Sequence, residues 1–174
     1  MNTIVYAKKS DFVSSTDFLQ ALFSIVCGIP NAKIEKTAKG KPILPDREIE
    51  FSLTHTDRLY VAALSDAPVG IDAEPLQRQI GYEKIAKRRF PEAEAKAIRS
   101  QKDFLFAWTA REAYVKFSSS TLAESLKSLC FSKENLLVTH KTHGAFPVRF
   151  FEIENHLVAV CAHAPFQPDE IRAL

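Results

Sequence analysis

No two cysteines in this chain stand as a CxxC pair. The three present, Cys27, Cys130 and Cys161, are far apart and odd in number. That spacing speaks against a structural zinc site or a dithiol redox motif, and it suits a reducing compartment. Charge of one sign is also missing: 23 Lys and Arg face 21 Asp and Glu, a net of +2. Such a balance does not call for nucleic acid, and any basic site must be local. No apolar run approaches the roughly 20 residues that span a membrane. The start, Met1 to Lys9, lacks the basic opening and long apolar stretch of a secretory signal. A soluble, cytoplasmic protein with no nucleic-acid or membrane partner is expected. There is no low-complexity linker, no visible repeat and no sign of disorder.

What is present fits one domain. The 174 residues, 46% hydrophobic and 25% charged, suffice for a single core. Thr3 to Ala7 reads as a strand. Ser14, Ser15 and Thr16 offer caps for a helix running to Cys27, with Phe18, Leu19, Leu22, Phe23 and Val26 on one face and Gly28 and Pro30 as its end. Ile34 to Ala38 reads as a further strand, and Gly40-Lys41-Pro42 as a turn. Glu48 to Leu53, Leu59 to Leu64 and Pro68 to Ala73 read as three strands. Tyr82 to Phe90, Glu92 to Arg99 and Asp103 to Phe117 read as helices. Strands return at Leu136 to Thr139, Val148 to Ile153 and Leu157 to Cys161, with Glu154-Asn155 turning the last hairpin. The tail after Pro165 is expected to be irregular. Strands and helices are segregated rather than alternating, which predicts an α+β fold.

Three segments carry candidate chemistry. In Val-Gly-Ile-Asp-Ala-Glu, residues 69 to 74, a strand would place Asp72 and Glu74 on the same face. Adjacent carboxylates repel, so the pair asks for a cation, and hard oxygen ligands suit magnesium. Two acids at a solvated strand end are the plain alternative. In Trp-Thr-Ala-Arg-Glu-Ala-Tyr-Val-Lys, residues 108 to 116, a helix aligns Trp108, Glu112 and Lys116 one turn apart. The plain alternative is a surface Glu112–Lys116 pair above a core tryptophan. In Phe-Ser-Leu-Thr-His-Thr, residues 51 to 56, a strand runs into hydroxyls and His55, groups able to bond phosphate oxygens. The alternative there is turn formers beside a satisfied histidine.

Order and combination add what each segment lacks alone. Gly-Lys-Pro, Ser-x-Thr-His-Thr, Gly-Ile-Asp-x-Glu and Trp-x-x-Arg-Glu-Ala-Tyr-x-Lys resemble the Sfp-type 4'-phosphopantetheinyl transferase family, whose pattern runs GKP, LSHS, GIDxE and WxxKEAxxK. The resemblance covers roughly residues 40 to 117. Leu-Thr-His-Thr replaces the serines with threonines, and Arg111 replaces the family's lysine; hydroxyls and charge survive. The chain is shorter than the usual family member, chiefly toward its N-terminus, where Lys8, Lys9, Lys36 and Lys39 are candidates for further phosphate contacts.

The resemblance implies a fold of two similar α+β halves about a pseudo-twofold axis, here about 1–69 and 70–174, with coenzyme A between them. It implies Asp72, Glu74 and Glu112 as magnesium ligands, and Lys116 at the phosphates near the metal. Thr54 and His55 match the pair that holds coenzyme A phosphates; Lys41 and Pro42 match the segment flanking the adenosine end. The implied reaction moves phosphopantetheine from coenzyme A to a serine of an apo acyl or peptidyl carrier protein and releases 3',5'-ADP. The nucleophile lies on the partner, so no internal Ser-His-Asp set is required. Glu112, directly or through a water on the metal, is the candidate acceptor of the serine proton, with Lys116 and His55 offsetting phosphate charge. The basic stretch with Lys84, Lys87, Arg88, Arg89 and Lys96 is the expected surface for an acidic carrier, a solvated helix face being the alternative. A monomer is expected. Two other readings use the same residues: a metal-dependent phosphohydrolase, and a non-catalytic relative that binds coenzyme A or a carrier.

Overall fold

The computed structural model describes residues 1–45, 47–121 and 126–174. The chain runs β1 (Thr3–Lys8), α1 (Ser15–Cys27), β2 (Glu35–Lys36), β3 (Pro42–Ile43), β4 (Glu50–His55), β5 (Leu59–Ser65) and β6 (Val69–Pro75). Then come α2 (Tyr82–Arg89), α3 (Glu92–Ala97), α4 (Gln101–Ser118), β7 (Leu129–Ser132), β8 (Leu137–His140), β9 (Gly144–Ile153), β10 (His156–Ala162) and β11 (Glu170–Ala173). The fold is α+β. Two main sheets form, ordered β11-β1-β5-β4 and β6-β10-β9-β8-β7, and β2 with β3 makes a small ribbon.

Period-two alternation builds four layers. On β5, Tyr60, Ala62 and Leu64 join Phe18, Leu22 and Phe23 of α1 on the outer face of the first sheet. Leu59, Val61 and Ala63 point the other way and meet Val69, Ile71 and Ala73 of β6 and Val158 and Val160 of β10 between the sheets. Leu157, Ala159 and Cys161 of β10 face outward against α4. The order is helix, sheet, sheet, helix.

Local signals explain the two long helices. Ser14 caps α1 by accepting from the Asp17 N–H at 3.2 Å, and Gly28 closes it in the left-handed region at φ 66°. Ser100 caps α4 the same way, accepting from the Asp103 N–H at 3.1 Å. Glu154 and Asn155, at φ 48° and 60°, form the tight turn expected between β9 and β10. Among the described residues no helix is long and apolar enough to cross a membrane.

One expectation is overturned. The tail after Pro165 is not irregular: Glu170 to Ala173 pairs in parallel with Thr3 to Tyr6 of β1. The segment shows no apolar alternation because most of its side chains are exposed. What makes it a strand is the backbone edge of β1, a partner some 170 residues away in the chain. β7 was likewise not anticipated; it exists by pairing with β8. The strand expected over 48–53 lies at 50–55 and that over 68–73 at 69–75, so His55 and Glu74 both sit on strands.

Candidate active site

Asp72 and Glu74 point from β6 to the side covered by α4, the opposite face from Val69, Ile71 and Ala73. Gly70 sets how near the helix comes. A Cβ there would lie 2.0 Å from the Ala113 carbonyl oxygen and 2.3 Å from the Phe117 nitrogen, distances no side chain tolerates. With glycine the backbones meet, and Glu112 and Lys116 are delivered to the acids of β6. Together they line a cleft of about 860 Å³, which β4, the β4–β5 turn and the β9–β10 turn complete.

Asp72 and Glu74 are only 6% and 8% exposed, so each negative charge needs a partner. The Lys116 ammonium donates to Asp72 Oδ1 at 2.8 Å and the Thr54 hydroxyl donates to the same oxygen at 3.0 Å. Arg78 donates to Glu74 Oε2 at 2.5 Å. Lys116 thus serves Asp72 across the helix–sheet contact, not Glu112 along its own helix. Glu112 itself forms no hydrogen bond or ion pair with the described residues. Burial, with the charges of Asp72 and Glu74 added and Lys116 opposing, raises its carboxyl from 4.5 to about 7. Burial also raises Glu74; Arg78 opposes this, and the Asp72 charge adds to it. Three carboxylates on one cleft therefore repel one another, and two side-chain cations hold two of them. As they stand, no three His, Cys, Asp or Glu among the described residues converge closely enough to hold a metal ion. The donor set is nonetheless all carboxylate oxygen, the chemistry a hard divalent cation prefers.

The other expected residues divide. Thr54 is buried and its hydroxyl is directed at Asp72, whereas His55 is exposed in the cleft, its ring 5.9 Å from that of Tyr60. Lys41 and Pro42 stay on the β2–β3 ribbon and do not line the cleft. Of the four N-terminal lysines considered, Lys9 lines it and Lys8, Lys36 and Lys39 do not. Arg111 is fully buried and structural: it bonds the carbonyls of Ala107 and Leu129, pairs with Glu94 and lies 3.9 Å over the Phe90 ring. Trp108 stacks with Phe104 at 5.7 Å.

Sequence reasoning missed Arg58, Arg78 and His156, all of which line the cleft. Arg78 follows Glu74 by four residues, but that spacing carries a meaning on a helix and none past the end of a strand. His156 reaches the site only because β10 pairs with β6.

Residues 68–162, which span β6, α4 and the second sheet through β10, match the 4'-phosphopantetheinyl transferase superfamily. The chain is 35% identical over 138 residues to the 4'-phosphopantetheinyl transferase gsp of Aneurinibacillus migulanus, covering 74% of this chain and 57% of that one. It is 32% identical over 126 residues to 4'-phosphopantetheinyl transferase HetI of a Nostoc species, covering 65% and 53%. With 4'-phosphopantetheinyl transferase Sfp of Bacillus subtilis it shares 25% over 142 residues, covering 76% and 63%. The chain thus spans little more than half the length of these curated relatives. Since the matched stretch contains the acid-bearing strand, the helix that Gly70 admits and the hairpin closing the cleft, the chain belongs to the 4'-phosphopantetheinyl transferase superfamily.

Proposed function

We propose that this chain is a transferase that moves the 4'-phosphopantetheine arm of coenzyme A onto a serine of an apo acyl or peptidyl carrier protein and releases 3',5'-ADP. The observation that carries this reading is the meeting of Asp72, Glu74, Glu112 and Lys116 on one cleft that also holds His55, Lys9 and Arg58. Acids and bases gathered on one cleft suit a substrate that arrives as a polyphosphate with a divalent cation. Asp72, Glu74 and Glu112 are the residues that would hold magnesium, which when bound neutralises the pyrophosphate and makes its phosphorus a better electrophile.

The chain's own residues do the rest. Lys116 leaves Asp72 and turns its charge to the phosphate oxygens, and His55 meets them from β4. Thr54 keeps Asp72 oriented through its hydroxyl. Lys41 and Pro42 on the ribbon flank the adenosine end. The carrier's serine oxygen attacks the phosphorus that bears the pantetheine arm, the bond to 3',5'-ADP breaks, and the serine proton passes to Glu112, whose carboxylate forms no hydrogen bond or ion pair among the described residues. Positioning and charge account for the catalysis, as in other phosphoryl transfers.

A division into related halves at about residue 69 fits the two sheets, each with a helix on its outer face, except that β11 crosses back to pair with β1 of the first. The exposed basic residues Lys84, Lys87, Arg88 and Arg89 of α2 suit an acidic carrier. A monomeric cytoplasmic enzyme is the form this reading takes. The decisive experiment incubates the protein with coenzyme A, magnesium and apo acyl and peptidyl carriers, then weighs the carriers. A gain of one phosphopantetheine is expected; no gain on any carrier overturns the reading.

A further inference from the structure

Thr56 sits where β4 turns into β5, and its hydroxyl is fully engaged. It accepts from the N–H of Arg58 at 3.2 Å and of Leu59 at 3.1 Å. Those two bonds use both lone pairs, so the hydroxyl proton must be donated. The acceptor in reach is His156 Nε2 at 3.1 Å. On the far side of the ring, Nδ1 lies 2.7 Å from the Glu154 carbonyl oxygen. A carbonyl only accepts, so Nδ1 carries the hydrogen and Nε2 offers its lone pair. Partners on both sides thereby select one neutral tautomer. His156 is 4% exposed and opens β10 in the second sheet, so this bond ties the second sheet to the turn of the first at the wall of the cleft.

Two cations hang from the same turn. The Lys9 ammonium donates to the Thr56 carbonyl at 3.3 Å, and the Lys9 N–H donates to the Arg58 carbonyl at 2.7 Å. Both side chains line the cleft. Lys116 and Arg78 in the same cleft are each held by a carboxylate. Among the described residues Lys9 and Arg58 form no ion pair.

We propose that His156 is a positioning residue that, through Thr56, holds Lys9 and Arg58 on the cleft wall as a clamp for a phosphate group of the substrate. The inference rests on the proposed function for the identity of that substrate. Holding two like charges on one cleft wall before the ligand arrives is work the scaffold must do, and a fixed turn lowers the ordering cost at binding. A part-buried hydrogen bond between elements from two sheets is suited to that role. It touches no reacting atom, so its loss should weaken binding and spare turnover.

His156→Phe keeps the ring and removes both nitrogens; Thr56→Val removes the hydroxyl. His156→Gln and Thr56→Ser retain an acceptor and a hydroxyl, respectively. Affinity for coenzyme A and for inorganic pyrophosphate is measured by calorimetry, with KM and kcat for both substrates, thermal unfolding, and hydrogen exchange at the Arg58 and Leu59 amides. H156F and T56V are expected to weaken coenzyme A and pyrophosphate about tenfold. They should leave kcat and the carrier KM within about twofold. H156F should speed exchange at residues 58 and 59, the double variant should be no worse than the weaker single, and H156Q and T56S should recover most of the affinity. Lys9→Gln and Arg58→Gln should mimic the loss, and do so even should H156F fail to fold. Coenzyme A affinity indifferent to H156F, T56V, Lys9→Gln and Arg58→Gln refutes the clamp while the proposed function stands. Parallel losses in kcat, both KM values and unfolding temperature reduce His156 to a structural role and also refute it. Wild type that binds pyrophosphate in a His156-dependent way, yet neither binds coenzyme A nor modifies a carrier, refutes the proposed function and leaves the clamp.

Discussion

Glu112 shows how one side chain sets the character of the cleft. Its carboxyl is raised from 4.5 to about 7 by burial and by two neighbouring acids. The folded chain therefore prefers the protonated form. Below pH 4.5 both states hold the proton and the residue contributes nothing to the pH dependence. Between 4.5 and about 7 the unfolded chain has lost a proton that the folded chain keeps, so stability falls as pH rises, and above about 7 the penalty is complete. Glu112→Gln should accordingly stabilise the metal-free protein at pH 8 by about 2 kcal/mol, after discounting for the open side of the cleft, and should do nothing near pH 4. Chemical denaturation at the two pH values measures this, and an equal shift at both would remove the carboxylate repulsion from the account. Magnesium should stabilise the wild type at pH 8 and the variant far less. For turnover the direction reverses. Asp72→Ala or Glu112→Ala should lower it by about a hundredfold or more, the scale of losing a preorganised charged group, with unfolding temperature little reduced in Glu112→Ala. Near-normal rates in both would dismiss the acids from catalysis. Asp72, Glu74 and Glu112 were legible as residues because the strand and helix periods put them on defined faces. The exchange of partners that ties Lys116 to Asp72 was not, since both possible acids lie within its reach and only the helix–sheet distance decides between them.

At the scale of elements, the approach of α4 to β6 is the feature on which the site depends. Gly70→Ala introduces a methyl that meets backbone atoms of Ala113 and Phe117, and backbone cannot rotate aside. The substitution should cost about 1–3 kcal/mol or more and shift α4 enough to part Glu112 from Asp72. Urea unfolding and turnover should both suffer; an unaffected midpoint would mean that the helix can slide without loss. The helix α2 offers a contrasting case, because its Lys87, Arg88 and Arg89 are exposed and take no part in core packing. Reversing Lys87 and Arg88 to Glu should raise the carrier KM and flatten its dependence on salt, since exposed charges are screened over about 10 Å at 0.1 M. It should leave coenzyme A binding unchanged. Steady-state kinetics at two salt concentrations checks this, and an unaltered carrier KM would place docking elsewhere. The elements themselves were readable where local chemistry dictates them, as with the serine cap of α1 and the Glu154-Asn155 turn. They were not readable at β7 and β11, short strands whose existence depends on a partner's open edge.

For the whole molecule, the apolar layer between the sheets is decisive. Ile4, Val61 and Ala63 come from the first sheet and Ile71, Val158 and Val160 from the second, and they form one buried cluster. Neither sheet can keep its inner face dry without the other, so the two should unfold together. Trp108 lies against the second sheet's helical layer and reports on that part alone, whereas far-ultraviolet circular dichroism reports on all. The two signals should give coincident thermal transitions. Separated midpoints would show that the sheets are independent units.

The sequence by itself determined the segregated α+β composition, the two long helices, the cap of the first, the shared face of Asp72 and Glu74, and the helical line from Trp108 to Lys116. These follow from periods of two and 3.6 residues and from side chains that act on their own backbone. Tertiary structure alone decided which cation answers which acid, which lysine reaches the cleft, that Arg111 is core, that His156 meets Thr56 a hundred residues away, and that the C-terminal residues form a strand on β1. Each of these is settled by the packing or pairing of segments distant in the chain, and no local pattern of side chains encodes where a distant surface or edge will lie.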